Sequence, residues 1–329
     1  MSFFSLLAVF ILEQIQPLSY RRLIRNPVYA LAGFLSSRFN AGAYQHGVLS
    51  TLLVLVPLLL LLLLIYTLLY AINPLLAWAL NVFVLYLTMG FRQFSHHFTE
   101  ILLALRNEDL PLARQLLADW RYANGLHSTD KQQLLEQSEE IARASIELAL
   151  LGAHRHVFAV LLWFVVLPGP IGAVLYRVTG LLAEAWESSG LAVGGERSAF
   201  PDFARRLFGL LDWLPARATA AAFAIVGNFE DAVYCAREES SDWSDEATGL
   251  ILASASGALG VRLSTRVAMA EAPVLDGLEA FSDPSEGEKA PFGETAGIDF
   301  MQSAVGLVWR ATVLWVLLLF LLGLASIFG

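Results

Sequence analysis

The sequence predicts an all-α, polytopic integral membrane protein with amphipathic helices outside the bilayer. The chain is 57% hydrophobic and only 16% charged, and its mean hydropathy is +0.59. Residues 48–91 contain no Asp, Glu, Lys or Arg, and further apolar runs lie at 157–183 and 304–328. Because a spanning helix needs roughly 20 apolar residues, we expect four or five spanning segments.

The N-terminal section, residues 1–91, is predicted to hold three membrane helices. The uncharged run is about twice the length of one span, and Asn73-Pro74 interrupts it. Proline disfavours helix in the residue before it, so we expect helices at about 48–70 and 74–91. A shorter helix at about 2–16 contains Glu13, which is either an interfacial carboxylate or a polar group that faces a buried site.

The loop between these helices predicts their orientation. Residues 17–47 carry Arg21, Arg22, Arg25 and Arg38 and no acidic residue. Excess positive charge beside spanning helices marks the cytoplasmic side. We therefore expect a multi-pass membrane protein with this loop in the cytoplasm.

The remainder divides by hydropathy into four sections. They are a helical cytoplasmic section at 92–156, a membrane segment at 157–183, a polar acidic helical section at 184–302 and a membrane helix at 303–329. Pro168-Gly169-Pro170 divides the second of these, which either spans once with a kink or dips in and returns. That choice decides the side of residues 184–300, for which we favour the cytoplasm.

Charge and motifs exclude several functions. A net charge of −9 disfavours nucleic acid as a partner, because neutralising phosphates needs a basic face. The sequence has no Walker A loop, HExxH or GxSxG motif. Neighbouring His96 and His97 point about 100° apart on a helix, so we predict no metal site. The lipid bilayer is the expected partner, with a protein partner or a homo-oligomer also open.

Several blocks in order resemble the CobD/CbiB family of membrane-bound adenosylcobinamide-phosphate synthases. LLDWLPARATA at 210–220 is similar to that family's L-[ND]-x-[IL]-P-A-R-L-T-A signature, and ASGALGVRL at 255–263 to its A-G-A-L-G-V-R-L. Weaker matches are RNPVYALAGFL, EDLPLARQLL and IARASIEL, which begin at residues 25, 108 and 141. The resemblance extends to about residue 265.

The resemblance implies an ATP-dependent ligase that joins adenosylcobyric acid to an aminopropanol compound through an amide bond. ATP, Mg²⁺ and a corrinoid would then be its ligands. The acidic motifs of the family are missing, however: Leu151, Gly152 and Arg155 stand at its Glu, Asn and Asp positions, and Gly180-Leu-Leu-Ala-Glu184 replaces its N-T-L-D-S. Asp119-Trp-Arg-Tyr122 also stands where R-D-T is expected.

These departures resemble the AmpE-like branch, inner-membrane proteins linked to β-lactamase regulation. They favour a non-synthase role in binding, sensing or regulation. The alternative is a working synthase whose acids come from Asp202, Glu230 or Asp231. A transporter is disfavoured because the spanning helices carry almost no internal charge.

The candidate ligand-binding residues are the polar positions that survive in the matched blocks, together with Glu13. Asp212 stands where the synthases usually have Asn. As a site, Arg217 and Arg262 would hold an anionic group that Glu147 or Asp212 orients. As scaffold, Glu147 or Asp212 would pair with Arg217. The complete set is Glu13, His97, Glu147, Asp212, Arg217 and Arg262.

Overall fold

A computed structural model describes residues 2–15, 21–123, 137–188, 192–193, 196–243, 245–263 and 293–328. The described chain is almost entirely helical, which confirms the predicted all-α class. A π-turn at Arg21–Arg25 leads into α2. The first six helices are α1 (Ser2–Ile15), α2 (Asn26–Phe39), α3 (Tyr44–Ile72), α4 (Pro74–Thr88), α5 (Phe91–Arg106) and α6 (Leu110–Ala123).

The second half of the chain contains six further helices and one small hairpin. The helices are α7 (Ser138–Val166), α8 (Ile171–Ser188), α9 (Asp202–Val226), α10 (Phe229–Glu238), α11 (Glu246–Leu259) and α12 (Ile298–Phe328). Two-residue strands at Ala192–Val193 and Glu196–Arg197 pair antiparallel, and a short 3₁₀ turn covers Ser240–Asp242.

Four helices are long and apolar enough to cross a bilayer: Tyr44–Ile72, Ser138–Val166, Asp202–Val226 and Ile298–Ala325. The chain is therefore a membrane protein with several candidate spans. Two shorter apolar helices, Phe3–Glu13 and Pro74–Thr88, accompany them. The helix Asp202–Val226 falls inside the section predicted to be polar, and the predicted boundary between residues 156 and 157 falls inside α7.

The Pro168-Gly169-Pro170 segment makes a hairpin between α7 and α8. Gly172 lies so close to α7 that an added Cβ would be 1.9 Å from the carbonyl oxygen of Trp163. Further along, Arg177 meets His156 at 2.7 Å. These pairs run in opposite directions along the two helices, so α8 returns antiparallel to α7. The chain therefore reverses direction at this segment.

Pro215 explains one contact inside the bundle. A proline within a helix leaves the carbonyl four residues earlier without its usual donor, which in α9 is the carbonyl of Leu211. The indole N–H of Trp163 on α7 donates to that carbonyl at 3.0 Å. The proline of the LPAR block and the tryptophan of α7 therefore form one packing unit.

The GALGVRL block ends α11 and turns the chain. Gly260 has φ +69° and is the C-cap of this helix, a left-handed conformation that glycine adopts without a Cβ penalty. The following Val261 forms a parallel bridge with Glu294. The turn places the carbonyl of Leu263 next to α7, where the guanidinium of Arg143 lies 3.5 Å from it.

Candidate functional site

Arg25 connects three helices at one buried point. Its side chain is only 9% exposed. The guanidinium donates to the carbonyl of Ala123 at the end of α6. It also donates to the hydroxyl of Tyr29 and to the carboxylate of Glu184 on α8, both at 3.2 Å. Burial, followed by the charge of Glu184, raises the pKa of Tyr29 to about 12, so this phenol stays neutral.

Two more arginines lie beside the Arg25 group. Arg177 on α8 is buried and donates from Nη2 to Nδ1 of His156 at 2.7 Å. Because a guanidinium can only donate, His156 accepts this bond as a neutral imidazole. Arg155 is exposed on α7, and its charge acts on His156 together with those of Arg177 and Arg25. Positive charge therefore accumulates between α2, α7 and α8.

A third group lies where α6 meets α7. Arg143 pairs with Glu147 one helical turn later at 3.1 Å. Arg121 on α6 is close enough for both charges to act on it. Burial, the largest effect, lowers the pKa of Arg121, while Glu147 raises it and Arg143 lowers it again. Arginine nevertheless keeps its charge in proteins, so Arg121 stays a cation.

These residues define an arginine cluster of five guanidinium groups with two acidic partners. It has two parts, one with Arg25, Arg155 and Arg177 near His156 and one with Arg121 and Arg143 near Glu147. In the sequence, Arg121 lies two residues before Ala123, whose carbonyl Arg25 contacts. Guanidinium groups bind phosphate and carboxylate oxygens through paired hydrogen bonds. The cluster can therefore hold a polyanion on a chain whose net charge is −9. The arginines are Arg25, Arg121, Arg143, Arg155 and Arg177, and the acids are Glu147 and Glu184.

The cluster does not suit Mg²⁺, which prefers carboxylate oxygens. Its two acids are each ion-paired with arginine, Glu147 with Arg143 and Glu184 with Arg25. The position that the resemblance assigns to a family Asp is Arg155 here. We therefore expect an anion to be held by guanidinium groups directly.

A buried hydrogen-bond network lies beside the cluster and connects α7, α8 and α9. Asp212 accepts from the hydroxyl of Tyr176 at 2.7 Å and lies 2.9 Å from Nε2 of His154. The other ring nitrogen of His154 is 2.9 Å from the hydroxyl of Thr219. All four side chains are buried, so the network has no access to a soluble ligand in this structure.

The predicted site residues do not lie together; they occupy several different parts of the structure. Glu147 belongs to the arginine cluster, and Asp212 belongs to the buried network. Glu13 is 7% exposed on α1, which packs against α4. Arg262 donates to the carbonyl of Gly293 at 3.3 Å, in the turn that follows α11.

Arg217 does not make the pair with Glu147 or Asp212 that was predicted for it as a scaffold residue. It pairs with exposed Glu246 at 2.7 Å and lies over the Trp213 ring at 4.0 Å. It is therefore a surface residue between α9 and α11, paired with neither Glu147 nor Asp212. His97 lies on α5, where its ring stacks on Trp120.

The adjacent histidines of α5 are closer in space than the sequence argument allowed. His96 Nδ1 lies 3.1 Å from Glu100 Oε2, and His97 Nδ1 lies 3.9 Å from the same oxygen. One ligand atom from each residue falls within 4.8 Å of the others. The expectation that the two rings point too far apart ignored the freedom of their side-chain torsions and the acid one turn later.

Sequence reasoning did not predict the Arg25 group, which consists of Arg25, Tyr29 and Glu184. Arg25 and Tyr29 lie in the RNPVYALAGFL block, whose arginine was assigned only to membrane orientation. Glu184 ends the segment noted as lacking the family's acid, one residue after that acid's position. Its pairing partner Arg25 is 159 residues away, a separation from which no spacing rule predicts a contact.

Comparison with known proteins agrees with the predicted resemblance. The family model described as CobD/Cbib protein matches residues 22–276. A relative in Stutzerimonas stutzeri, called cobalamin biosynthesis protein CobD, is 32% identical over 296 residues, covering 88% of this chain and 87% of its own. A protein of the same name in Chromobacterium violaceum is 35% identical over 58% of this chain and 57% of its own. No solved structure matches the chain.

Proposed function

The chain belongs to the CobD/CbiB protein family, and from that premise we propose that it acts in cobalamin biosynthesis as an inner-membrane, ATP-dependent amide-forming ligase. Its substrates would be adenosylcobyric acid and an aminopropanol compound. The observation that carries this proposal is the arginine cluster, because ATP and a corrinoid carboxylate are both anions. The names of the two relatives support the same pathway.

The cluster supplies positions for the charged parts of such substrates. Exposed Arg155 can reach an arriving phosphate, while Arg25 and Arg177 are buried and held by Glu184, Tyr29 and His156. The buried arginines would attract the anion through their charge without contacting it. Amide formation also needs an acyl group and an amine held close together, and a cluster that fixes the anionic ends of the substrates would do this.

A second function is favoured by one observation. Leu151, Gly152 and Arg155 stand at positions where the resemblance implies Glu, Asn and Asp, and Leu cannot bind Mg²⁺ or activate an amine. On this alternative the chain binds the same kind of anion but does not form the amide bond, and its role is sensing or regulation. Arg155 also favours the binding role, because it adds positive charge where the resemblance implies negative charge.

The test combines product formation with ligand retention in detergent-purified protein. ATP, adenosylcobyric acid and aminopropanol phosphate are supplied with and without Mg²⁺, and product and bound ligands are measured by mass spectrometry. A hydrogen bond to a charged group contributes about 1.5–3 kcal/mol. We therefore expect Arg155→Gln to weaken ligand retention by roughly 10- to 100-fold.

Arg38→Gln is the matched control, because Arg38 is exposed on α2 and contacts only the Phe34 ring among the interactions described for it. Amide product that falls in Arg155→Gln but not in Arg38→Gln supports the ligase. Ligand retention without product, lost in Arg155→Gln alone, supports the binding role instead. Retention of neither ATP nor corrinoid by the wild-type protein contradicts both.

A further inference from the structure

We propose that His96, His97 and Glu100 form a binding site for a divalent transition-metal ion, separate from the arginine cluster. The site lies near the start of α5, soon after α4 ends. Its three ligand atoms already converge, with His96 Nδ1 and His97 Nδ1 at 3.1 and 3.9 Å from Glu100 Oε2. All three side chains are accessible, with exposures of 66%, 38% and 42%.

The separations suit a tetrahedral zinc-like centre. Zinc binds histidine nitrogen and carboxylate oxygen at about 2.0–2.2 Å, so two ligand atoms of a tetrahedron lie roughly 3.3 Å apart. The two measured distances to Glu100 bracket that value. Small rotations of the exposed His96 and Glu100 side chains can close the remaining difference without moving the helix.

Packing restricts His97, the least exposed ligand. Its ring stacks on Trp120 of α6, with centroids 6.2 Å apart and planes 24° from parallel. Trp120 is only 3% exposed, so it provides a fixed surface. Asp119, which precedes Trp120 in the sequence, carries a negative charge that acts on His97. A bound cation would therefore be coordinated by an oriented imidazole and attracted by the negative charges of Glu100 and Asp119.

The ligand types select the metal class. Imidazole suits Zn²⁺, Ni²⁺ and Cu²⁺, whereas Mg²⁺ and Ca²⁺ prefer oxygen ligands. Three protein ligands also leave one tetrahedral position for water or another small ligand, an arrangement typical of open sites rather than closed structural ones. The site thus differs in both place and chemistry from the arginine cluster, and it does not depend on the proposed ligase activity.

Zinc binding to the full-length protein in detergent tests the inference. Any polyhistidine tag is removed first, because a tag binds the same metals. We expect one Zn²⁺ per chain at micromolar affinity, undiminished by millimolar Mg²⁺. Glu100→Gln and His96→Gln should each weaken it at least about tenfold, since each removes one of three ligands. Co²⁺ substitution should give a visible ligand-field absorption that is weaker in Glu100→Gln at the same Co²⁺ concentration.

Glu108→Gln is the matched control, because Glu108 is an exposed acid in the turn that follows the same helix. It should bind zinc as the wild-type protein does. Gel filtration and thermal unfolding without metal should be the same for all variants, because the replaced side chains are exposed. Wild-type protein that binds no zinc, or that keeps its affinity in Glu100→Gln, overturns the site.

Discussion

Replacing Asp212 with Leu should destabilise the fold strongly, whereas replacing it with Asn should not. Asp212 is the shared acceptor of the buried network, where one of its oxygens meets the Tyr176 hydroxyl at 2.7 Å and His154 Nε2 at 2.9 Å. Leucine fills the space but leaves both donors buried without an acceptor. Asparagine keeps the shape and one amide oxygen, and it is the residue that the resembling synthases usually have.

The size of the effect follows from the two bonds. A buried donor left unsatisfied costs about 1–3 kcal/mol, so Asp212→Leu should lose about 2–6 kcal/mol for two donors. Hydrogen bonds between membrane helices average only about 0.6 kcal/mol, which sets a lower limit near 1 kcal/mol for the pair. Asp212→Asn loses only the charge on the acceptor and should cost about 1 kcal/mol.

Equilibrium unfolding in mixed micelles, followed by circular dichroism, measures these differences. Asp202→Asn is the control, because Asp202 makes only a surface ion pair with Arg205 at 2.8 Å, and it should change stability by less than about 0.5 kcal/mol. Combining Asp212→Leu with His154→Leu should cost less than the sum of the single changes, because one donor is removed with its acceptor. An Asp212→Leu protein as stable as the wild type would refute the reasoning.

Three further results are expected. Gly172→Ala should cost about 1–3 kcal/mol by overpacking α8 against the Trp163 carbonyl, whereas Gly209→Ala, which has nothing within 4 Å of its added Cβ, should not destabilise. Trp163→Phe should cost about 1–3 kcal/mol, and unfolding curves should show a smaller cost in a Pro215→Ala background, where a backbone N–H replaces the lost donor. Burial raises the pKa of the Cys235 thiol to about 12, so maleimide at pH 8 should label it only after unfolding, and rapid labelling of native protein would contradict this.

The fold class was predictable because apolar runs of bilayer length leave few alternatives. The break at Asn73 is the one residue between α3 and α4, where a proline follows. Hydropathy did not identify Asp202–Val226 as a candidate span, because it counts Asp212 and Arg217 as charges in water. Asp212 instead finds its partners inside the bundle, and Arg217 pairs at the surface.

The site was predictable only in part, because a motif gives the sequence separation of its residues but not their burial or their contacts in the folded protein. Glu147 was chosen from a matched block and does lie in the arginine cluster. Arg25 and Glu184 were not chosen, because the contact that unites them joins residues 159 positions apart in the sequence. The approach of His96, His97 and Glu100 was not predicted, because the argument from helical angles left out the side-chain torsions that bring both histidines to the same carboxylate.

The residues of the LPAR and GALGVRL blocks mainly stabilise the fold, so their presence indicates the fold more than the reaction. Pro215 and Trp163 satisfy each other across two helices, and Gly260 turns the chain with φ +69°. An unpaired carbonyl and a left-handed turn are requirements of the backbone. Any protein with this fold would have to meet them, whatever reaction it catalyses. The reaction must instead be decided by side chains that face the ligand. We propose that Arg155 is one of these, and it reverses the charge expected from the family resemblance. Its replacement therefore tests the proposed anion site more directly than any change within the resembling blocks.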